Sequence, residues 1–113
     1  MNLLIRVDGS DEIGTGHVMR TFSIAEELID RGHRVVFCSC LLLETLSERI
    51  LNIGCEIAKL DGLIAGEGDL TQTLDVAEEY NIDTIILDGY TFGSNYLSAL
   101  CEKYQLIFID DEI

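Results

Sequence analysis

Five short runs rich in β-branched residues, LLIRVD, RVVFCS, CEIAKL, TIILD and LIFID, alternate with segments whose apolar residues recur at helical spacing, and turn residues separate them. Parallel strands need a crossover long enough to hold a helix, so this alternation is the mark of repeated strand–helix–strand units. At 113 residues and 48% hydrophobic, the chain fills one core but not two ordinary ones, and one domain over 1–113 is expected.

Five strands and four helices predict an α/β fold of Rossmann-like, three-layer α/β/α type. Its five-stranded parallel sheet is expected in the order 3-2-1-4-5, with helices on both faces. From His17, the residues Val18, Phe22, Ala25 and Ile29 form one apolar helix face, flanked by Met19 and Leu28, while Glu26, Glu27, Asp30 and Arg31 populate the other. Gly32 follows where a helix C-cap belongs. A second helix is expected within LLETLSERILNIG, stopped by Gly54, a third near Leu70 to Tyr80, and a fourth from Ser94 to about Tyr104. The glycine-rich DGLIAGEGD reads as a surface loop, because glycine is costly inside regular elements. The chain stops at DDEI, right after its fifth strand, and reads as cut rather than finished.

Seven basic and twenty-one acidic residues give a formal charge of −14, which repels nucleic acid and anionic membrane surfaces. No apolar run is long enough to span a bilayer, and Arg6 and Asp8 interrupt the first apolar stretch too early for a secretory signal, so a cytoplasmic location is expected. Cys38, Cys40, Cys55 and Cys101 lack C-x-x-C spacing and read as buried free thiols, with Cys38 and Cys40 pointing the same way from a strand.

In an open parallel sheet the functional crevice lies outside the carboxyl ends of the strands, near the point where strand order reverses. Residues Asp8 to Gly16, Asp88 to Tyr90 and Asp110 to Glu112 should meet on that rim. The loop DEIGTGHVMR has no Walker lysine, and Met19 stands where a dinucleotide fingerprint needs a small residue. Asp8, Asp11 and Glu12 would also oppose a phosphate, so no nucleotide cofactor is expected. His17 opens the first helix, where the dipole favours a neutral ring, and a neutral imidazole in a crevice can serve as general base. Gly14 and Gly16 would shape its turn, and a carboxylate such as Asp8 or Asp111 would orient its other nitrogen. The same position also suits a capping histidine. Arg20, one turn along, either reaches the rim or is a solvated helix arginine. Asp88 and Tyr90 either contact water and substrate or are turn residues. Asp110 and Asp111 either join the rim or keep a strand end soluble, and His33 lies at the opposite end of the sheet.

Taken in order, IRVDGSDEIGTGHVMR, AEELIDRGHRVVF, IILDGY and IDDE resemble the N-terminal domain of the UDP-sugar hydrolases of pseudaminic acid biosynthesis, a family shared with spore-coat polysaccharide proteins. The similarity runs from Met1 to Ile113. It implies one half of a GT-B-type two-domain enzyme, with the C-terminal nucleotide-binding domain absent from these residues. The reaction it implies hydrolyses UDP-2,4-diacetamido-2,4,6-trideoxy-β-L-altropyranose by water attack at the anomeric carbon, without metal or cofactor. On this resemblance His17 is the base, and Asp8, Gly14, Gly16, Arg20, Asp88, Tyr90 and Asp111 form the substrate-binding set. The partners implied are the UDP-sugar and the missing domain. Two other readings stand beside it: the acceptor-side domain of a glycosyltransferase, and a non-catalytic association module of a surface-glycan enzyme.

Overall fold

A computed structural model describes residues 1–89 and 91–109. Nine elements alternate along it: β1 (Asn2–Arg6), α1 (Gly16–Asp30), β2 (Arg34–Ser39), α2 (Glu44–Asn52), β3 (Glu56–Lys59), α3 (Glu67–Glu79), β4 (Thr84–Asp88), α4 (Ser94–Cys101) and β5 (Gln105–Ile109). The strands form one all-parallel sheet in the order β3-β2-β1-β4-β5, the expected Rossmann-like arrangement. Strand order reverses between β1 and β4, whose carboxyl ends therefore flank the crevice.

Side chains alternate across a strand, and that period sorts the molecule into two cores. Leu3, Ile5 and Val7 pack with Val18, Phe22 and Ala25 of α1 and with Leu46 and Ile50 of α2. On the other face Leu4 packs with Ile85 and Leu87 of β4, Ala77 of α3, and Tyr96 and Leu100 of α4. The central strands are apolar on both sides because helices cover both.

Helix α1 ends as its sequence suggests. Gly32, at φ +87°, follows the last turn, while its N–H and that of His33 reach back to the carbonyls of Ile29 and Leu28. Helix α3 departs from expectation: it starts at Glu67 rather than Leu70, so part of the glycine-rich stretch is helical. Glu67 and Asp69 in its first turn complement the helix dipole, which offsets the cost of Gly68. Helix α4 stops at Cys101, short of Tyr104, and α2 is confined to Glu44–Asn52. Cys38 and Cys55 are buried, but Cys40 is half-buried and Cys101 is exposed, so only two of the four thiols are buried as expected. No helix among the described residues is long and apolar enough to cross a membrane.

Candidate active site

Asp88 closes β4 on the same face as Ile86, and so points toward α1. There its carboxylate, fully buried, meets two side chains from the first two turns of that helix. His17 Nδ1 lies 2.7 Å from Asp88 Oδ1. Arg20 grips the same carboxylate as a fork, donating from Nε to Oδ2 at 2.6 Å and from Nη2 to Oδ1 at 2.6 Å. Residues three apart lie on one helix face, which is why His17 and Arg20 converge. The His17 side chain remains 18% exposed and that of Arg20 34%, so the trio sits at an opening.

The loop before α1 aims this pair. Gly14 adopts φ +84°, and its N–H and C=O both bond Ser10, which closes SDEIG into a compact turn. Gly16 opens the helix without a positive φ, and a Cβ there would meet nothing within 4 Å. The crowded glycine is one that sequence reasoning passed over. A Cβ on Gly9 would come within 2.5 Å of Val18 Cγ2, so only glycine lets β1's end approach the residue next to His17.

Asp8 stands on the cleft's rim, but its carboxylate is taken up by partners other than His17. By strand parity it faces α3 and α4, and its Oδ2 accepts from Arg6 Nη1 at 2.7 Å. Its Oδ1 accepts from the N–H groups of Cys40 (2.7 Å) and Leu41 (2.9 Å), fixing the loop after β2. Among the described residues, the carboxylate that holds His17 through Nδ1 is Asp88. Tyr90, Asp110 and Asp111 lie outside the described residues.

Beneath Asp8 lies a polar cluster that the sequence did not reveal. Arg6, fully buried, donates from Nε and Nη2 to the two oxygens of Asp69 at 3.0 and 2.5 Å. Asp69 also accepts from Tyr96 Oη (2.6 Å), Thr73 Oγ1 (3.0 Å) and the Ala65 N–H (2.7 Å). Burial alone would push the Asp69 carboxyl up, but hydrogen bonds and charge from Arg6, with help from Tyr96 and Ala65, hold it below its usual range. Burial likewise draws Arg6 down, yet Asp69 and Asp8 outweigh it and raise the guanidinium further. The Arg6 guanidinium carbon lies 5.2 Å from the centroid of the Phe92 ring, which packs on Tyr96 at 4.7 Å.

Between these two clusters opens a cleft of about 160 Å³, lined by Asp8, Ile13, His17, Ile64, Asp88, Gly89, Thr91 and Phe92. Its walls are mainly apolar, with His17 and two carboxylates set into them. An ionised Asp88 accepts at Oδ1 from an Nδ1–H of His17, and a neutral ring bonded in this way carries its lone pair on Nε2. Such a ring can accept a proton from water or from a sugar hydroxyl.

No family model matches the chain, and no curated protein matches it at a significant level. Solved structures do. A glycosyltransferase from Rickettsia africae ESF-5 superimposes with a TM-score of 0.68 at 13% identity, covering 95% of this chain and 28% of that one. A glycinamide ribonucleotide transformylase 1 from Symbiobacterium toebii has a TM-score of 0.68 at 16% identity, covering 96% of this chain and 50% of that one. Both are enzymes built on this α/β fold, and the chain spans half or less of either. At such identities the likeness is one of fold.

Proposed function

We propose that the chain is the N-terminal half of a nucleotide-sugar hydrolase, with His17 as the general base that directs water to the anomeric carbon of a UDP-linked diacetamido sugar. The observation that carries this reading is the imidazole at the cleft, held through Nδ1 by a buried carboxylate at 2.7 Å. In the reaction, the water oxygen bonds to the anomeric carbon as its proton passes to His17 Nε2. The bond from that carbon to the pyrophosphate oxygen breaks, and UDP leaves with the electron pair, inverting the centre. UDP is a good leaving group, so one base suffices where a glycosidase needs two carboxyl groups.

The sequence resemblance described above supports the substrate class, and the fold shared with a glycosyltransferase supports a sugar-handling enzyme. We assign the uridine and pyrophosphate to a second, nucleotide-binding domain, because a half carrying a formal charge of −14 is ill-suited to hold a pyrophosphate alone. Tyr90 and Asp111 belong to the proposed substrate-binding set along with the walls of the cleft.

The test is release of UDP from the UDP-sugar by the full-length protein with no acceptor present, wild type beside His17→Gln, with circular dichroism to confirm that both fold. A loss of about a hundredfold or more in the folded variant is expected of a general base. Release only when a sugar acceptor is added would make the enzyme a glycosyltransferase. Equal rates in both proteins would remove His17 from the chemistry.

A further inference from the structure

We propose that Arg20 is a positioning residue: it holds Asp88 in register with His17 and balances its charge, so that the imidazole stays neutral with its lone pair on Nε2. The inference rests on the reading of His17 as the base, but its test does not require turnover.

A buried carboxylate touching an imidazole has two ways to find a partner for its charge. It can draw a proton onto the ring, making an imidazolium that is no base, or it can take its countercharge elsewhere. In this molecule the countercharge is Arg20. Its fork covers both Asp88 oxygens at 2.6 Å, and Nη2 donates to the same Oδ1 that faces His17. That Nη2 also stands 3.3 Å from His17 Nδ1, close enough for its positive charge to oppose a second positive charge on the ring. The α1 N-terminus pushes in the same direction. Of the other charged groups near His17 among the described residues, Asp8 at the end of β1 is occupied by Arg6 and two backbone N–H groups. Asp11 and Glu12, on the loop before α1, are exposed to solvent screening.

Geometry adds to charge. Two parallel N–H···O bonds fix the plane of a carboxylate, which a single contact does not. A fixed plane sets the ring orientation of His17 and hence the direction of Nε2. Lysine would keep the charge and lose the plane, so the two contributions separate experimentally.

The chain has only two histidines, His17 and His33, so the ring nitrogens of ¹⁵N-labelled protein can be assigned with a His33→Gln variant. Correlation spectra of those nitrogens from pH 5 to 9 read protonation and tautomer directly. Wild type should show Nδ1–H as the single neutral form of His17. In Arg20→Gln the midpoint of the His17 titration should move up by about one pH unit, the low end of what a neighbouring charge does. Arg20→Lys should leave the midpoint within a few tenths of a unit while mixing the two neutral tautomers. An unmoved or lowered midpoint in folded Arg20→Gln overturns the charge role. A pure Nδ1–H form in Arg20→Lys overturns the positioning role, and this variant retains the charge should the glutamine variant fold poorly. If these spectra behave as expected while the full-length protein releases no UDP, the hydrolase reading fails and the role of Arg20 stands.

Discussion

Replacing Arg6 with methionine tests how the cleft's floor is held. The side chain is fully buried, and it is the cation in a cluster that includes the carboxylates of Asp8 and Asp69, whose side chains are 6% and 0% exposed. Methionine fills similar volume but leaves those two carboxylates facing each other across the vacated guanidinium site. Removing one partner of a buried ion pair costs about 3–5 kcal/mol, and a second stranded carboxylate sets the expectation at the upper end. That is a large part of the roughly 5–15 kcal/mol that stabilises an ordinary domain. With a urea slope of about 1.5–2 kcal/mol per molar, the midpoint should fall by about 2–3 M. The pH dependence gives an independent reading. In wild type the Asp69 carboxyl is held below its unfolded value, so it stabilises the fold above about pH 4 and that stability is lost as pH falls through the folded value. Without Arg6, burial dominates and the sign reverses, because protonation relieves the stranded carboxylate. Arg6→Met should therefore sit closer to wild type at pH 4 than at pH 7. A loss below about 1 kcal/mol at pH 7, or a gap that widens at pH 4, would refute the clamp.

Further outcomes follow from the loop and the thiols. Gly9→Ala places a carbon 2.5 Å from Val18 Cγ2 and should cost about 1–3 kcal/mol by urea unfolding, with part of the loss recovered in combination with Val18→Ala. Gly14→Ala should cost about 1 kcal/mol because of its φ of +84°, whereas Gly16→Ala should be neutral or mildly stabilising. Burial pushes the Cys38 thiol up to about 12 and those of Cys40 and Cys55 up to about 11, while Cys101 is exposed. A thiol-reactive dye at pH 8 should label one cysteine rapidly in the folded protein, identified as Cys101 by mass spectrometry, and all four in denaturant.

The order of strands was legible because hydrophobic period and turn residues mark each element, and a parallel sheet with right-handed crossovers has few solutions. The helix starts were less so. The glycines at 66 and 68 outweighed Glu67 and Asp69 in the reading of α3, although the acidic first turn was the better signal. At the site, proximity to the rim was correctly a matter of strand ends, but proximity does not decide which face a side chain takes. Counting by twos does. Arg6 and Asp8 share the parity of Leu4 and face α3 and α4, whereas Asp88 shares that of Ile86 and faces α1. That count would have paired His17 with Asp88 rather than Asp8 from the sequence alone. The partnership of Arg6 with Asp69 across 63 positions had no comparable signal, since a lone arginine in a strand gives no hint of which helix will supply its carboxylate.

The same parity explains why two arginine–carboxylate sets can lie around one small cleft without merging. Each arginine stays on its own side of the sheet: Arg20 acts on the α1 face, where it grips the carboxylate that meets His17, and Arg6 acts on the opposite face. There it anchors Asp69, which holds the Ala65 N–H beside Ile64, and it lies against the Phe92 ring. On the proposed reading, one set tunes the imidazole while the other fixes the apolar walls that face it. If the division holds, disturbing Arg6 by Arg6→Lys should change substrate affinity and stability but leave the neutral tautomer of His17 intact. Arg20→Lys should do the reverse, mixing the tautomer at little cost in stability, since lysine keeps a cation against the buried Asp88 carboxylate. A change in His17 tautomer on substitution of Arg6 would mean that the two clusters are coupled through the cleft and that the sheet does not insulate them.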